Sequence, residues 1–141
     1  MQPLISQLLS QLLPLVVFLN ILLLFWVMIE VGRARAKTGV EAPATAGHPD
    51  FERAYRVQMN TIEQTLMFLP TLWLCSTYYR ADVACVLGMI WMVGRVWYAR
   101  SYLKSAANRG AGFIVSIAAW ACLLIAAGYG YISLFISAWT H

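Results

Sequence analysis

The 141 residues are 61% hydrophobic and 11% charged, against roughly 25% charged in an ordinary soluble domain. Ten basic and six acidic residues give a net charge of +4, but the cations flank long apolar blocks and carry no nucleic-acid recognition motif, which argues for an integral membrane protein and against nucleic acid as a partner. Cys75, Cys85 and Cys122 are odd in number and lie inside apolar blocks, which argues against a disulfide framework, and neither His48 nor His141 has a second ligand at metal spacing, so no metal is expected.

The first apolar block runs from about Leu4 to Val31, with Pro14 as a kink site and Asn20 and Glu30 as polar exceptions. It has no basic segment before it and no small-residue cleavage site after it, so it reads as a retained helix rather than a signal peptide. The segment from Gly32 to Pro49 holds Arg33, Arg35, Lys37, Gly39, Pro43 and Gly47, a loop composition. The second helix is expected from about Asp50 to Tyr79, with Pro70 inside it. Arg80-Ala-Asp82 reads as a tight turn, and the third helix covers about Val83 to Tyr102. A third connection with Lys104, Arg109, Gly110 and Gly112 precedes a fourth helix over about Phe113 to Ala138. Each stretch approaches the ~20 residues needed to cross ~30 Å of hydrocarbon. The expected fold is therefore an all-α, four-helix transmembrane bundle, one domain over residues 1–141.

Four spans put both termini on one side. The other side then carries Arg33, Arg35, Lys37, Arg53, Arg56, Arg100, Lys104 and Arg109, against Arg80 alone opposite. The positive-inside rule makes the basic side cytoplasmic and the termini non-cytoplasmic.

The second helix carries charge into the membrane. Arg53, Arg56, Asn60 and Glu63 share a sector about 80° wide at 100° per residue, and Glu52 stands four residues from Arg56, where the two can pair. Ionisable groups at such depth cost several kcal/mol unless they meet a partner, water or a ligand. On the third helix Arg95, Tyr98 and Tyr102 form a second stripe, which Arg109 would extend if the helix ran on, although Gly110 makes a break nearby. Arg100 and Lys104 lie off that stripe and read as topology charges reaching the surface. The stripes alone leave two readings open: an internal network joining helices, or a pocket for a small, multiply charged ligand. For the second, arginines suit carboxylates, Glu63 an ammonium and Asn60 peptide groups. No Ser-His-Asp, Cys-His or P-loop arrangement is present, so an enzyme of this kind would take its nucleophile from the ligand.

Glu52-Arg-Ala-Tyr-Arg-Val-Gln-Met-Asn-Thr-Ile-Glu63 resembles the signature of the MAPEG family, the membrane-associated proteins of eicosanoid and glutathione metabolism. The likeness extends through Gly47-His-Pro-Asp-Phe51 and Gly94-Arg-Val-Trp-Tyr-Ala-Arg-Ser-Tyr102 to Arg109, and is strongest to the microsomal glutathione transferase and leukotriene C synthase branch. The resemblance implies a homotrimer with glutathione, as co-substrate, held between protomers near the cytoplasmic side. By the same resemblance Arg56, Gln58, Asn60 and Glu63 would bind glutathione, with Arg53, Tyr98 and Tyr102 completing the pocket; Arg95, from the second stripe, and Arg35 are expected among the glutathione-binding residues as well. Arg109 would be the catalytic arginine that activates the thiol. Arg35 matches one of a pair of arginines in the leukotriene branch, but the second position is Ala36. The reading that follows is a glutathione transferase acting on lipophilic electrophiles from the bilayer, with glutathione-dependent hydroperoxide reduction as a further activity. The alternative is a non-catalytic lipid-binding or scaffold protein of the same fold. A small transporter lacks the broken half-helices that reading needs.

Overall fold

The computed structural model describes residues 4–140, so His141 lies outside the described residues. Those residues form helices and no strand: α1 (Leu4–Gln11), α2 (Leu13–Thr38), α3 (Pro49–Tyr78), α4 (Ala81–Lys104), a 3-10 turn (Ala106–Arg109) and α5 (Gly110–Trp139). α1 and α2 are one interrupted first helix. The interruption falls at Leu12, just before Pro14, which takes up the first turn of α2, where a missing N–H costs least. Pro70 lies inside α3 without ending it.

The first helix outruns its expected end. Gly32, Arg33, Arg35 and Lys37 are helical rather than part of a loop, and α2 stops only at Gly39. Gly39 adopts φ 71° and its N–H donates to Arg35 O at 2.9 Å, a left-handed C-terminal stop that suits glycine. The remaining loop folds back on α3. Arg35 stacks 4.4 Å above the Phe51 ring and donates to Val40 O, Lys37 and Arg53 both bridge to Asp50, and Glu52 accepts from Gly47 N–H at 3.0 Å. Glu52 thus serves the loop and not Arg56, the partner expected for it, because the loop amide reaches it first. His48 caps α3, its Nδ1 accepting from Asp50 N–H.

Three runs are long and apolar enough to cross a membrane: Gln7–Thr38, Ala81–Lys104 and Ala106–Trp139. The polar groups of α3 keep it out of that set, although at 30 residues it is long enough. The helices are joined inside by apolar packing and sparse hydrogen bonds. Phe68 of α3 stacks on Trp91 of α4 with ring centres 3.8 Å apart. Asn20 of α2 donates to Thr65 of α3, and Trp120 of α5 donates to Thr71. Bonds of this kind contribute about 0.6–2 kcal/mol each between helices in lipid. On the outer faces Phe18, Leu22 and Phe25 of α2, and Ile132 and Phe135 of α5, are exposed.

α4 and α5 approach each other backbone to backbone. A Cβ on Gly112 would stand 2.3 Å from Tyr98 N, and one on Gly94 would stand 2.7 Å from Ser116 N. The two backbones touch there, which small residues alone allow.

Candidate functional site

A cavity of about 320 Å³ opens between α3, α4 and the start of α5, lined by Arg56, Asn60, Tyr98, Tyr102, Arg109, Gly110 and Phe113. Its walls follow from the chain. Arg56 and Asn60 lie four residues apart on one face of α3, and Tyr98 and Tyr102 repeat that spacing on α4. The Gly112 contact presses the base of α5 against α4, so Phe113 comes within 6.1 Å of the Tyr98 ring.

Arg109 arrives by a different route from a continuing helix. α4 ends at Ser105, whose backbone is extended (φ −158°, ψ 129°), and the 3-10 turn carries Arg109 back over Tyr102. Its Nη1 donates to Tyr102 Oη at 3.3 Å, with the guanidinium 5.4 Å from the ring centre. The break expected near Gly110 falls at Ser105 to Arg109, and Gly110 itself begins α5.

Arg95 is fully buried and stands behind this wall rather than in it. It donates to Asn60 Oδ1 at 3.2 Å and to Thr61 Oγ1 at 2.8 Å, and lies 4.3 Å above the Tyr98 ring. With Oδ1 engaged, the Asn60 carboxamide has its N–H₂ left to offer a ligand. A buried guanidinium without a carboxylate partner is unusual; here an amide, a hydroxyl and an aromatic face take its place. Thr61 and Phe113 were not singled out in the sequence, and only Thr61 left a trace there, one position from Asn60 and so able to face α4.

Arg53 lines an adjoining cavity of about 610 Å³ with Thr45, Pro49 and Tyr55; Arg56 and Tyr102 line both, which makes them one trough. Its guanidinium also holds Asp50 and Leu103 O. The structure does not bring Glu63, Gln58 or Arg35 to this trough. Glu63 is exposed, Gln58 is half-buried, and Arg35 is committed to Phe51 and Val40.

The charges sort themselves. Arg33, Lys37, Arg53 and Arg80 each hold a carboxylate, whereas Arg56 and Arg109 have none among the described residues. No acid lines the smaller cavity. Arg56 and Arg109 are exposed, and Tyr98 and Tyr102 beneath them are buried; two guanidiniums without a carboxylate, an amide and two phenols together form a site for an anion. Among the described residues no group of His, Cys, Asp and Glu could hold a metal ion.

The model of the MAPEG family matches residues 13–129. The chain is 36% identical over 127 residues to leukotriene C4 synthase of Cavia porcellus, covering 90% of this chain and 85% of that one. It is 35% identical over 108 residues to microsomal glutathione S-transferase 2 of Homo sapiens, covering 77% and 74%. An uncharacterised protein of Synechocystis is 48% identical over 99 residues, covering 70% and 72%.

Proposed function

The chain belongs to the MAPEG family, and from that premise we propose that it is a membrane-bound glutathione transferase. The single observation that supports this reading most is Arg109, a guanidinium with no carboxylate, held by Tyr102 on the wall of a cavity that also offers Arg56 and Asn60. A thiol beside a fixed cation ionises more readily, because the thiolate gains the attraction and the thiol does not. A guanidinium keeps its own proton, so Arg109 acts by charge and not as a base. The thiol proton leaves to solvent. The thiolate then forms a C–S bond to a lipophilic electrophile from the bilayer, and the electrophile's leaving group departs with the electron pair. The same thiolate attacking a hydroperoxide oxygen would begin hydroperoxide reduction.

Arg56 takes a glutathione carboxylate, the Asn60 N–H₂ a carbonyl, and Arg53 the portion that extends along the trough. Arg95 keeps Asn60 and Tyr98 in place. Gln58, Glu63 and Arg35 face away from the trough, so their proposed part belongs to a homotrimer in which each site lies between protomers and these residues serve a neighbour's ligand. α3 crosses the membrane with the three apolar helices in one four-helix unit, the termini on the non-cytoplasmic side and the trough on the cytoplasmic side.

The test is conjugation of glutathione to a chlorodinitrobenzene by the purified protein, with the thiolate followed by difference absorbance on mixing. Turnover above the uncatalysed rate with a thiolate signal is expected. Neither signal, from protein that still binds glutathione, overturns the enzyme and favours the non-catalytic lipid-binding or scaffold reading.

A further inference from the structure

A second cavity, of about 660 Å³, lies between α2 and α4, lined by apolar residues that include Leu23, Trp26, Met89, Val93 and Trp97, and by one charge, Arg100. Arg100 is exposed and makes no hydrogen bond or ion pair among the described residues. We propose that this groove binds an anionic phospholipid, an acyl chain lying between α2 and α4 and the headgroup on the Arg100 guanidinium.

Position argues for a lipid. Both walls belong to runs apolar enough to cross a membrane, so the groove opens where hydrocarbon is. On α4 the lining reaches from Met89 to Arg100, about 16 Å at 1.5 Å per residue, roughly half of a ~30 Å core and so one leaflet. Trp26 and Trp97 flank the charged end, where aromatic side chains sit at the headgroup level. Charge complementarity argues for an anion: the only ionic group of the lining is a cation with no other partner. The groove is also separate from the polar trough. Arg100 stands about 160° around α4 from Tyr98 and Tyr102 at ~100° per residue, so its occupant meets neither Arg109 nor the thiol.

The experiment uses the full chain, delipidated in mild detergent, with equal amounts of phosphatidylglycerol and phosphatidylcholine bearing identical acyl chains. Lipid retained per chain is read by native mass spectrometry. The expected result is a preference of about fivefold for phosphatidylglycerol, the factor equivalent to the ~1 kcal/mol of one basic residue at an anionic headgroup. Arg100→Gln brings that ratio to near parity, and Arg100→Lys keeps most of it. Val93→Trp blocks the groove and lowers retention of both lipids; Val93 is 62% exposed, so the change leaves the interior packing intact. Parity in the unmodified chain overturns the proposal. So does a preference that Arg100→Gln leaves unchanged, or a retention of both lipids that Val93→Trp leaves unchanged, since the headgroup or the groove would then play no part.

Discussion

Arg109 and Tyr102 are joined across the break between α4 and α5: Nη1 of one donates to the hydroxyl of the other at 3.3 Å, although they stand on different elements. The phenol fixes the cation over the cavity, and the cation has no carboxylate among the described residues to neutralise it. Turnover should therefore depend on this pair more than glutathione binding does.

Arg109→Ala should lower kcat about 100-fold, the scale for loss of one preorganised group that stabilises a developing anion, while the KM for glutathione changes much less. The cation favours the thiolate, so its removal raises the thiol pKa, and the pH profile of kcat should move to higher pH. Stopped-flow absorbance and a pH series check both. An equal loss in kcat/KM and in glutathione affinity, with an unmoved profile, would assign Arg109 to binding instead.

Tyr102→Phe keeps the ring beneath Arg109 and removes its acceptor. A neutral hydrogen bond contributes about 0.5–1.5 kcal/mol, so kcat should fall about 2- to 10-fold, less than in Arg109→Ala. In the double variant the effects should not add, because both act on one guanidinium.

Arg95→Met leaves Asn60 Oδ1 and Thr61 Oγ1 without their donor. An orphaned buried polar group costs roughly 1–3 kcal/mol, so the melting temperature in detergent should fall. The freed carboxamide should also raise the KM for glutathione while kcat stays closer to normal. A melting shift with unchanged KM would confine Arg95 to holding the helices together.

Gly112→Leu puts a side chain where even a Cβ would meet Tyr98 N at 2.3 Å. Overpacking of this kind costs about 1–3 kcal/mol or more, and backbone atoms cannot rotate aside. Stability and turnover should fall together, since separating α4 from α5 moves Tyr98 away from Phe113. Gly110→Ala, at a position with nothing within 4 Å, is the control and should leave stability near normal.

Much of the fold was legible because apolar length and polar punctuation are local signals. The link between α3 and α4 is shorter than the expected Arg80–Asp82 turn, only Tyr79 and Arg80, with Ala81 and Asp82 already helical; Arg80 pairs with Asp82 two residues on, and that too is local. The end of the first helix was not legible. Arg33, Arg35 and Lys37 read as loop by charge, yet arginine, alanine and lysine are good helix formers, and only Gly39 supplies the left-handed stop. The helical wheel grouped Arg56 with Asn60 and Tyr98 with Tyr102, and each pair lines the cavity. It could not say that Glu63, in the same sector, would face elsewhere, because the packing of neighbouring helices decides where a wall ends. Nor could it give the path of Arg109, which depends on one extended residue at Ser105.

The contact between Gly112 and Tyr98 limits how such a site can diversify. Where two backbones touch there is no side chain to exchange, so substitution cannot widen or narrow that seam in small steps; it either preserves the seam or breaks it. Gradual change in the ligand's surroundings is left to side chains outside the seam, those of α3 above all. The α4–α5 pair is in that sense the frame, and the opposite wall is the adjustable jaw.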